Sequence, residues 1–427
     1  MSSSSRELRH SLKETLRVLV LDLWCYIPYY DKYFCESLRE VGVDACLAAT
    51  SYYLDPTYFQ RQKIRNRPGL LDLVAKLRLR HQTVRRILML IECCLNMLAL
   101  TIHLVVDPPE ILHVQWIPLA KKFPFDLWFM KFAKSRGVKV AYTVHNILPH
   151  DTGQRFKDTY RRVYRQADAL ICHTGEAKDR LLGEFALDPS RIWVITHGPL
   201  FHDVTLLSIE ESRARLGLCK DTSIVLMQGM LKPYKGVGFL LEAWREVLSL
   251  GPAVQLVIAG PAEKEYEADI RAKVSALGLQ DSVRLELRFI ANEELSLYYQ
   301  AADIIVYPYQ SITTSGALMT GLVYDRPIVA TDLPAFREVL EGHRNSTFVK
   351  YGDATALSAT LIRLIRNPPE RVPLSAGDLQ RRCQDSWAAI ALRTRDCYMT
   401  LLGRELSVKG LQSGTAEQVR IAAETSA

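Results

Sequence analysis

This sequence predicts an α/β protein made of two doubly wound, Rossmann-like domains, on three observations. Short runs rich in Val, Ile and Leu alternate with segments of helical period from Arg17 onward. Parallel strands covered on both faces read this way, as near-continuous apolar runs. The 427 residues suffice for two domains of ordinary size, each with its own core. The alternation runs through both halves without a short-period repeat, so the halves share an architecture rather than a motif.

Composition narrows the partners. A net charge of +7 favours anionic ones: sugar nucleotides, phospholipid surfaces or nucleic acid. The basic residues form no recognised nucleic-acid module and do not interleave with aromatics, so the last class ranks low. The nine cysteines are odd in number, scattered and without a CxxC pair. That argues against a disulfide framework or a zinc site and for a reducing, cytoplasmic setting. Residues 1–14 are polar and read as a flexible N-terminus without the apolar stretch of a signal peptide.

Residues 17–23 read as the first buried strand, 34–41 as a helix and 44–50 as a second strand. No GxGxxG joins them, which gives a nicotinamide site little support. Instead the strand leads into an aromatic loop, Cys25-Tyr-Ile-Pro-Tyr-Tyr-Asp31. Further on, Arg65, Arg67, Lys76, Arg78, Arg80, Arg85 and Arg86 precede an apolar run over 87–106. That run is long enough to span a bilayer. Glu92, Asn96 and His103 interrupt it, so it reads as a long core helix leading into a strand at 111–115. The basic stretch suits either a solvated face or peripheral contact with anionic lipid.

A helix at 125–135 and a strand at 138–144 follow, the strand ending in His145-Asn146-Ile-Leu-Pro-His150. Open α/β sheets bind ligands at the carboxyl ends of their strands, which makes His145 a candidate for function. A helix at 160–166, a strand at 169–174, a helix at 176–185 and a strand at 192–195 complete this half. Thr196-His197-Gly198-Pro199 then leads to a hinge near 198–210.

The second half opens with a helix at 212–216 and a strand at 223–227, closed by Gly229. A loop holding Lys232, Lys235 and Gly236 follows, and then a helix carrying Ala243 and Trp244. Lysines at a helix start make an anion site, with a solvated loop as the alternative. Strands at 254–260, 283–289 and 303–309 alternate with helices at 265–277 and 293–301. Thr313, Thr314, Ser315 and Gly316 crowd the start of a helix at 317–324. Hydroxyls there either cap the helix or cradle a diphosphate. With the two lysines, they would converge on one phosphate site from neighbouring βα units. A closing helix at 383–402 contains Trp387, and 405–427 reads as a disordered tail.

The stretch Gly229-Met-Leu-Lys-Pro-Tyr-Lys-Gly236 resembles the G-x-(I/L)-(R/K)-P-Y-K-G element of glycosyltransferase family 4. Thr143-Val-His-Asn-Ile-Leu-Pro-His150 is similar to that family's T-x-H-N-x-x-P-H turn, and residues 192–198 echo its v-I-x-(N/H)-G element. The resemblance covers about residues 17–400 and implies the GT-B fold, whose two Rossmann-like domains face a cleft. It implies an acceptor domain over 15–200, a nucleotide-sugar domain over 201–383 and a closing helix, 384–404, that crosses back to the first domain. Lys235 and Lys232, with Ser315 and Gly316, would hold the donor diphosphate, and His145 would face the donor sugar, making His145 and Lys235 the catalytic pair. Gly229, Thr314, Asn146 and Thr320 would lie near the donor sugar or nucleotide, and Tyr29, Tyr30 and His150 on the acceptor side.

One segment departs from the pattern. The family's E-x7-E, which precedes G-(K/R)-P-(V/I)-(V/I)-A-T-D, here places Ile312 and Thr320 at the two glutamates when aligned on Pro327. Thr313-Thr314-Ser315-Gly316 resembles a T-x-S-G variant of the segment, so altered donor handling is expected. The implied activity is retaining transfer of a hexosyl group from GDP-mannose or a UDP-hexose. The acceptor would be a hydroxyl of a lipid-linked glycan or growing surface polysaccharide. No cofactor or metal is implied, and the sequence holds no Asp-x-Asp pair. A non-catalytic nucleotide-sugar-binding subunit and a sugar-nucleotide epimerase of the same fold are the alternatives.

Overall fold

Two parallel six-stranded sheets organise the protein, seen here in a computed structural model that describes residues 15–52, 55–76, 81–120, 123–148, 153–200, 206–250, 253–369 and 376–404. The first contains β1 (Leu16–Asp22), β2 (Val43–Ala49), β3 (Ile111–Val114), β4 (Lys139–Thr143), β5 (Ala169–Cys172) and β6 (Ile192–Val194), in the order β2-β1-β3-β4-β5-β6. The second contains β7 (Ser223–Gln228), β8 (Val254–Ala259), β9 (Val283–Glu286), β10 (Ile304–Tyr307), β11 (Ile328–Thr331) and β12 (Ser346–Val349), in the order β12-β11-β10-β7-β8-β9. Strand order reverses beside β1 in one sheet and beside β7 in the other. Ligands bind at such switch points, outside the carboxyl ends of the strands. The predicted tail, the N-terminal 14 residues, part of the hinge and His150 lie outside the described residues.

Alternation along β1 shows why its sequence is almost wholly apolar. Leu19 and Leu21 join the core that includes Leu100, Leu104 and Phe129, while Val18 and Val20 join the one that includes Phe34, Trp387 and Tyr398. Both faces are buried, so Leu19→Ala is expected to cost about 2–5 kcal/mol. The first helix, Pro28–Glu40, begins six residues before the predicted start, and Tyr29 and Tyr30 lie in its first turn rather than in a loop. Pro28 there has its φ already set and lacks only an N–H that the turn leaves unbonded, and Asp31 favours the positive helix end.

Helix Gln82–Val106 departs more from expectation. Cys93, Asn96, Leu100 and Leu104 face the domain, but Ile87, Leu90, Ile91, Leu95, Leu98 and Ile102 are exposed. It is therefore a surface helix anchored by one narrow stripe, not a core helix.

Several contacts among the described residues join the halves. Closing helix Ala376–Leu401 returns to the first domain, where the Trp387 indole N–H donates to Pro199 O (2.8 Å) and its ring lies against Gly198. Leu200 N–H donates to Thr320 Oγ1 (3.1 Å). Glu338 accepts from the N–H groups of Gly175 (2.6 Å) and Glu176 (3.2 Å), capping a helix of the other domain. Gly316 abuts His197, whose Cε1 would stand 3.2 Å from a Cβ at that position.

Candidate active site

The second-domain half of the site is built on backbone that only glycine allows. Gly229 ends β7 with φ +139°, and a Cβ there would stand 2.7 Å from Lys235 Nζ and 3.6 Å from the Ala317 Cβ. Lys235 reaches this point because Pro233–Lys235 form a single 3-10 turn and Gly236, φ +72°, redirects the chain into helix Val237–Val247. A Cβ on Gly236 would meet Pro308 O at 1.9 Å.

Lys235 is buried, and among the described residues no carboxylate pairs with it. Burial lowers its pKa. The Tyr309 ring, 5.1 Å from Nζ, supplies a cation–π contact that offsets part of the cost. The buried Tyr309 hydroxyl lies beside Ser315, whose Oγ accepts from Leu318 N–H (3.2 Å). A buried cation and a buried hydroxyl thus meet at one corner. Such groups carry a desolvation cost that an anionic, hydroxyl-bearing ligand would relieve.

The other predicted residues fall less uniformly. Ser315 caps helix Gly316–Leu322, whose seven residues leave Lys235 the dominant positive group. Thr314 is half-buried beside it. Lys232 pairs with Glu263 at the rim and is turned away from the corner. Thr320 is fully buried, accepting from Leu200 and donating to Gly316 O (2.8 Å). Its hydroxyl is fully committed to the interdomain link, which corrects its assignment as a nucleotide contact.

The first domain contributes a buried imidazole array. His113 lies in β3, and His145, His173 and His197 follow the carboxyl ends of β4, β5 and β6. His173 Nδ1 lies 2.9 Å from Ile195 O, which can only accept, so that nitrogen carries the hydrogen. Gln115 Oε1 lies 2.8 Å from His145 Nε2 and accepts its hydrogen, so neutral His145 turns Nδ1 toward His173 Nε2, 3.3 Å away. Desolvation lowers His173 to about 4 and His113 and His197 to about 3, and pushes His145 well below the ordinary range.

Trp116 stacks on His145 (centroids 4.8 Å, 10° between planes) and Tyr30 meets it edge-on. His145 is thus held by Gln115 at Nε2 and covered by Trp116 on one ring face. Asn146 is half-buried beside it. His197 differs: its Nδ1 donates to Gly198 O (2.6 Å), leaving Nε2 as an acceptor, with that nitrogen 3.5 Å from a Cβ position on Gly316. It is the imidazole that meets the second domain. Tyr30 touches His145, His197 and Trp387, whereas Tyr29 packs against Tyr52 and Tyr58 away from them.

Sequence reading missed His173, His197 and Tyr309 as site residues. The signal was present, since each lies at or just past the carboxyl end of a parallel strand. Also unforeseen is a buried carboxylate pair, Asp22 and Asp31, where desolvation lifts Asp22 to about 6 and raises Asp31 well above the ordinary carboxylate range. Among the described residues no group of three His, Cys, Asp or Glu side chains is arranged to hold a metal ion.

Comparison with known proteins matches two families. The family described as Glycosyltransferase Family 4 matches residues 32–198, and the one described as Glycosyl transferases group 1 matches 222–367. A D-inositol 3-phosphate glycosyltransferase from Frankia alni is 29% identical over 229 residues, 52% of this chain and 56% of that one. The chain thus spans little more than half the length of that relative. A glycosyltransferase from Rickettsia africae superposes with TM-score 0.69 at 14% identity, over 92% of this chain and 100% of its own. Anabaena HepE, solved in complex with UDP, superposes with TM-score 0.66 at 15% identity, over 91% of this chain and 100% of its own. The fold is GT-B, and the chain belongs to the group 1 glycosyltransferases, with a family 4 N-terminal domain.

Proposed function

We propose that this group 1 glycosyltransferase moves a hexosyl group from a nucleoside diphosphate sugar to a hydroxyl acceptor with retention of configuration and without a metal. The observation that carries the reading is Lys235, a buried cation with no carboxylate partner at the carboxyl end of β7, the switch point of the second sheet. When the nucleoside diphosphate leaves, negative charge builds on its β-phosphate. A preorganised cation in a water-poor corner stabilises that charge with little reorganisation. The Tyr309 hydroxyl, in the same corner, can donate to that group. His197 Nε2, an acceptor on the facing domain, suits a hydroxyl of the donor sugar. His145 acts one step back, holding Gln115, Trp116 and His173 in place.

GDP-mannose and UDP-hexoses both fit a site whose recognised part is the diphosphate corner. For the acceptor, the exposed Trp24 and Tyr26 beside Trp116 offer a stacking surface suited to sugar rings. The hydroxyl of a lipid-linked or growing glycan is the acceptor we favour.

The test is a melting-temperature screen against UDP, GDP, ADP and dTDP, with wild type and Lys235→Ala. A ligand that binds only the folded state raises the melting temperature by mass action. One diphosphate is expected to do so, with the shift lost in the variant and transfer slowed by about 10²–10³. No shift with any diphosphate, or equal shifts in both proteins, would overturn the reading.

A further inference from the structure

Helix Gln82–Val106 is apolar where a soluble protein is polar. On a helix wheel Val84, Ile87, Ile91, Leu95, Leu98, Ile102 and Val105 form one outward face, opposite the buried stripe of Cys93, Asn96, Leu100 and Leu104. Ile87, Leu98 and Val106 are 55%, 56% and 76% exposed. Around Met89 and Leu90 the exposure extends round the helix, so its first turns project from the domain. An exposed apolar face of this length calls for an apolar partner.

Three polar side chains along it are satisfied from within. Glu92 accepts from the N–H groups of Leu73 and Val74, Asn96 pairs with both backbone groups of Leu71, and Thr101 donates to Met97 O (2.7 Å). Glu92 is the only carboxylate on the helix and it points inward. At the N-terminal end Arg85 and Arg86 are exposed, and among the described residues neither pairs with an acid. Trp128, 60% exposed, and Phe123 lie on or just before the neighbouring helix. An outward face without polar demand, arginines at one end and an aromatic beside it is the pattern of a helix lying in a lipid interface.

We propose that this helix docks the protein on an anionic phospholipid bilayer, lying in its surface. Spanning is excluded because the helix is tied to the domain by Glu92, Asn96, Leu100 and Leu104 along its length. A second copy fits less well. A helix-pair seam is flanked by charged residues, whereas Leu90, Cys94, Met97 and Ala99 flank this face. The helix joins β2 to β3, so its N-terminus lies at the carboxyl edge of the sheet. Its 25 residues span about 37 Å, against about 23 Å for a seven-residue strand such as β1. The overhang and the arginines therefore share an edge with Trp24, Tyr26 and the imidazole array, facing the cleft mouth toward the lipid. The docking surface is independent of which glycosyl group moves.

The experiment is flotation of the full chain with phosphatidylglycerol/phosphatidylcholine vesicles and with pure phosphatidylcholine vesicles. Binding is expected with the anionic vesicles and weakened by salt. Replacing Ile91, Leu98 and Ile102 together by Glu should lower the bound fraction at least about tenfold with the melting temperature unchanged. Arg85→Ala and Arg86→Ala should each weaken binding about fivefold, on anionic vesicles only. Failure to float with either vesicle would overturn the proposal. So would a lipid-free dimer, seen by sedimentation, that the triple variant dissociates.

Discussion

Replacing Lys235 by Met should make the protein more stable and less capable. In the free protein the ammonium is buried without a carboxylate, and its removal relieves a desolvation cost of about 1–3 kcal/mol. The same change forfeits the cation–π contact with Tyr309, worth about 1–2 kcal/mol when desolvated. At mid-range the net gain is about 0.5 kcal/mol, or roughly 1–2 °C for a domain of this size. The sign with pH follows from the lowered pKa. A lysine whose folded pKa is depressed carries its full penalty below that value, and the penalty fades as pH rises toward the ordinary 10.5. The variant's advantage should therefore shrink on the alkaline side. Melting of both proteins across neutral to alkaline pH, with and without the nucleotide found above, reads all of this. A variant less stable than wild type at neutral pH, or one that keeps its nucleotide response, would refute the assignment of Lys235 as an unpaired anion-binding cation.

Two further perturbations probe the first domain. Burial holds His173 near 4 against an ordinary 6.5, so the folded state takes up fewer protons than the unfolded between those values, and stability is lost as pH falls through that window. His173→Phe should flatten the fall by about 1.4 kcal/mol per pH unit in denaturant titrations stepped downward from neutral pH, and an unchanged slope would mean the imidazole is not held neutral. Trp387→Ala removes a buried indole and its bond to Pro199, which should cost about 3–5 kcal/mol. It should also release the closing helix Ala376–Leu401 to protease, and wild-type resistance there would show that the indole does not anchor it.

The architecture was legible because a parallel sheet writes itself as apolar runs, and the runs at β1, β4, β7 and β8 lie within a residue or two of the strands formed. The corner at Lys235 was legible because its glycines and lysine must be near one another in sequence to make the turn. What stayed hidden depends on residues far apart in sequence. Nothing local to His173 tells that it gives a hydrogen to Ile195 and lies against His145. Nothing local to Lys232 tells that Glu263 will claim it. The run at 87–106 was misplaced for a related reason: helical period and hydrophobicity are the same for a core helix and an interfacial one, and only the domain's shape decides which face is covered.

The two absent glutamates are better explained by the hinge than by decay of the site. Thr320 is fully buried between a donor, Leu200 N–H, and an acceptor, Gly316 O, and a hydroxyl serves both at once. A glutamate there would accept from Leu200 but set a carboxylate against Gly316 O, burying an unpaired charge. Ile312 packs on the second-domain core, where a carboxylate would lose its water in the same way. Both replacements follow from a hinge folded onto helix Gly316–Leu322, and that fold also brings His197 against Gly316. Gly229 and Gly236 hold their positive φ, and Lys235 is buried beside Gly229. The desolvation cost of that lysine is offset in part by Tyr309 and would be offset further by an anionic ligand. On the proposed function, the divergence lies in how the donor's sugar and ribose are gripped.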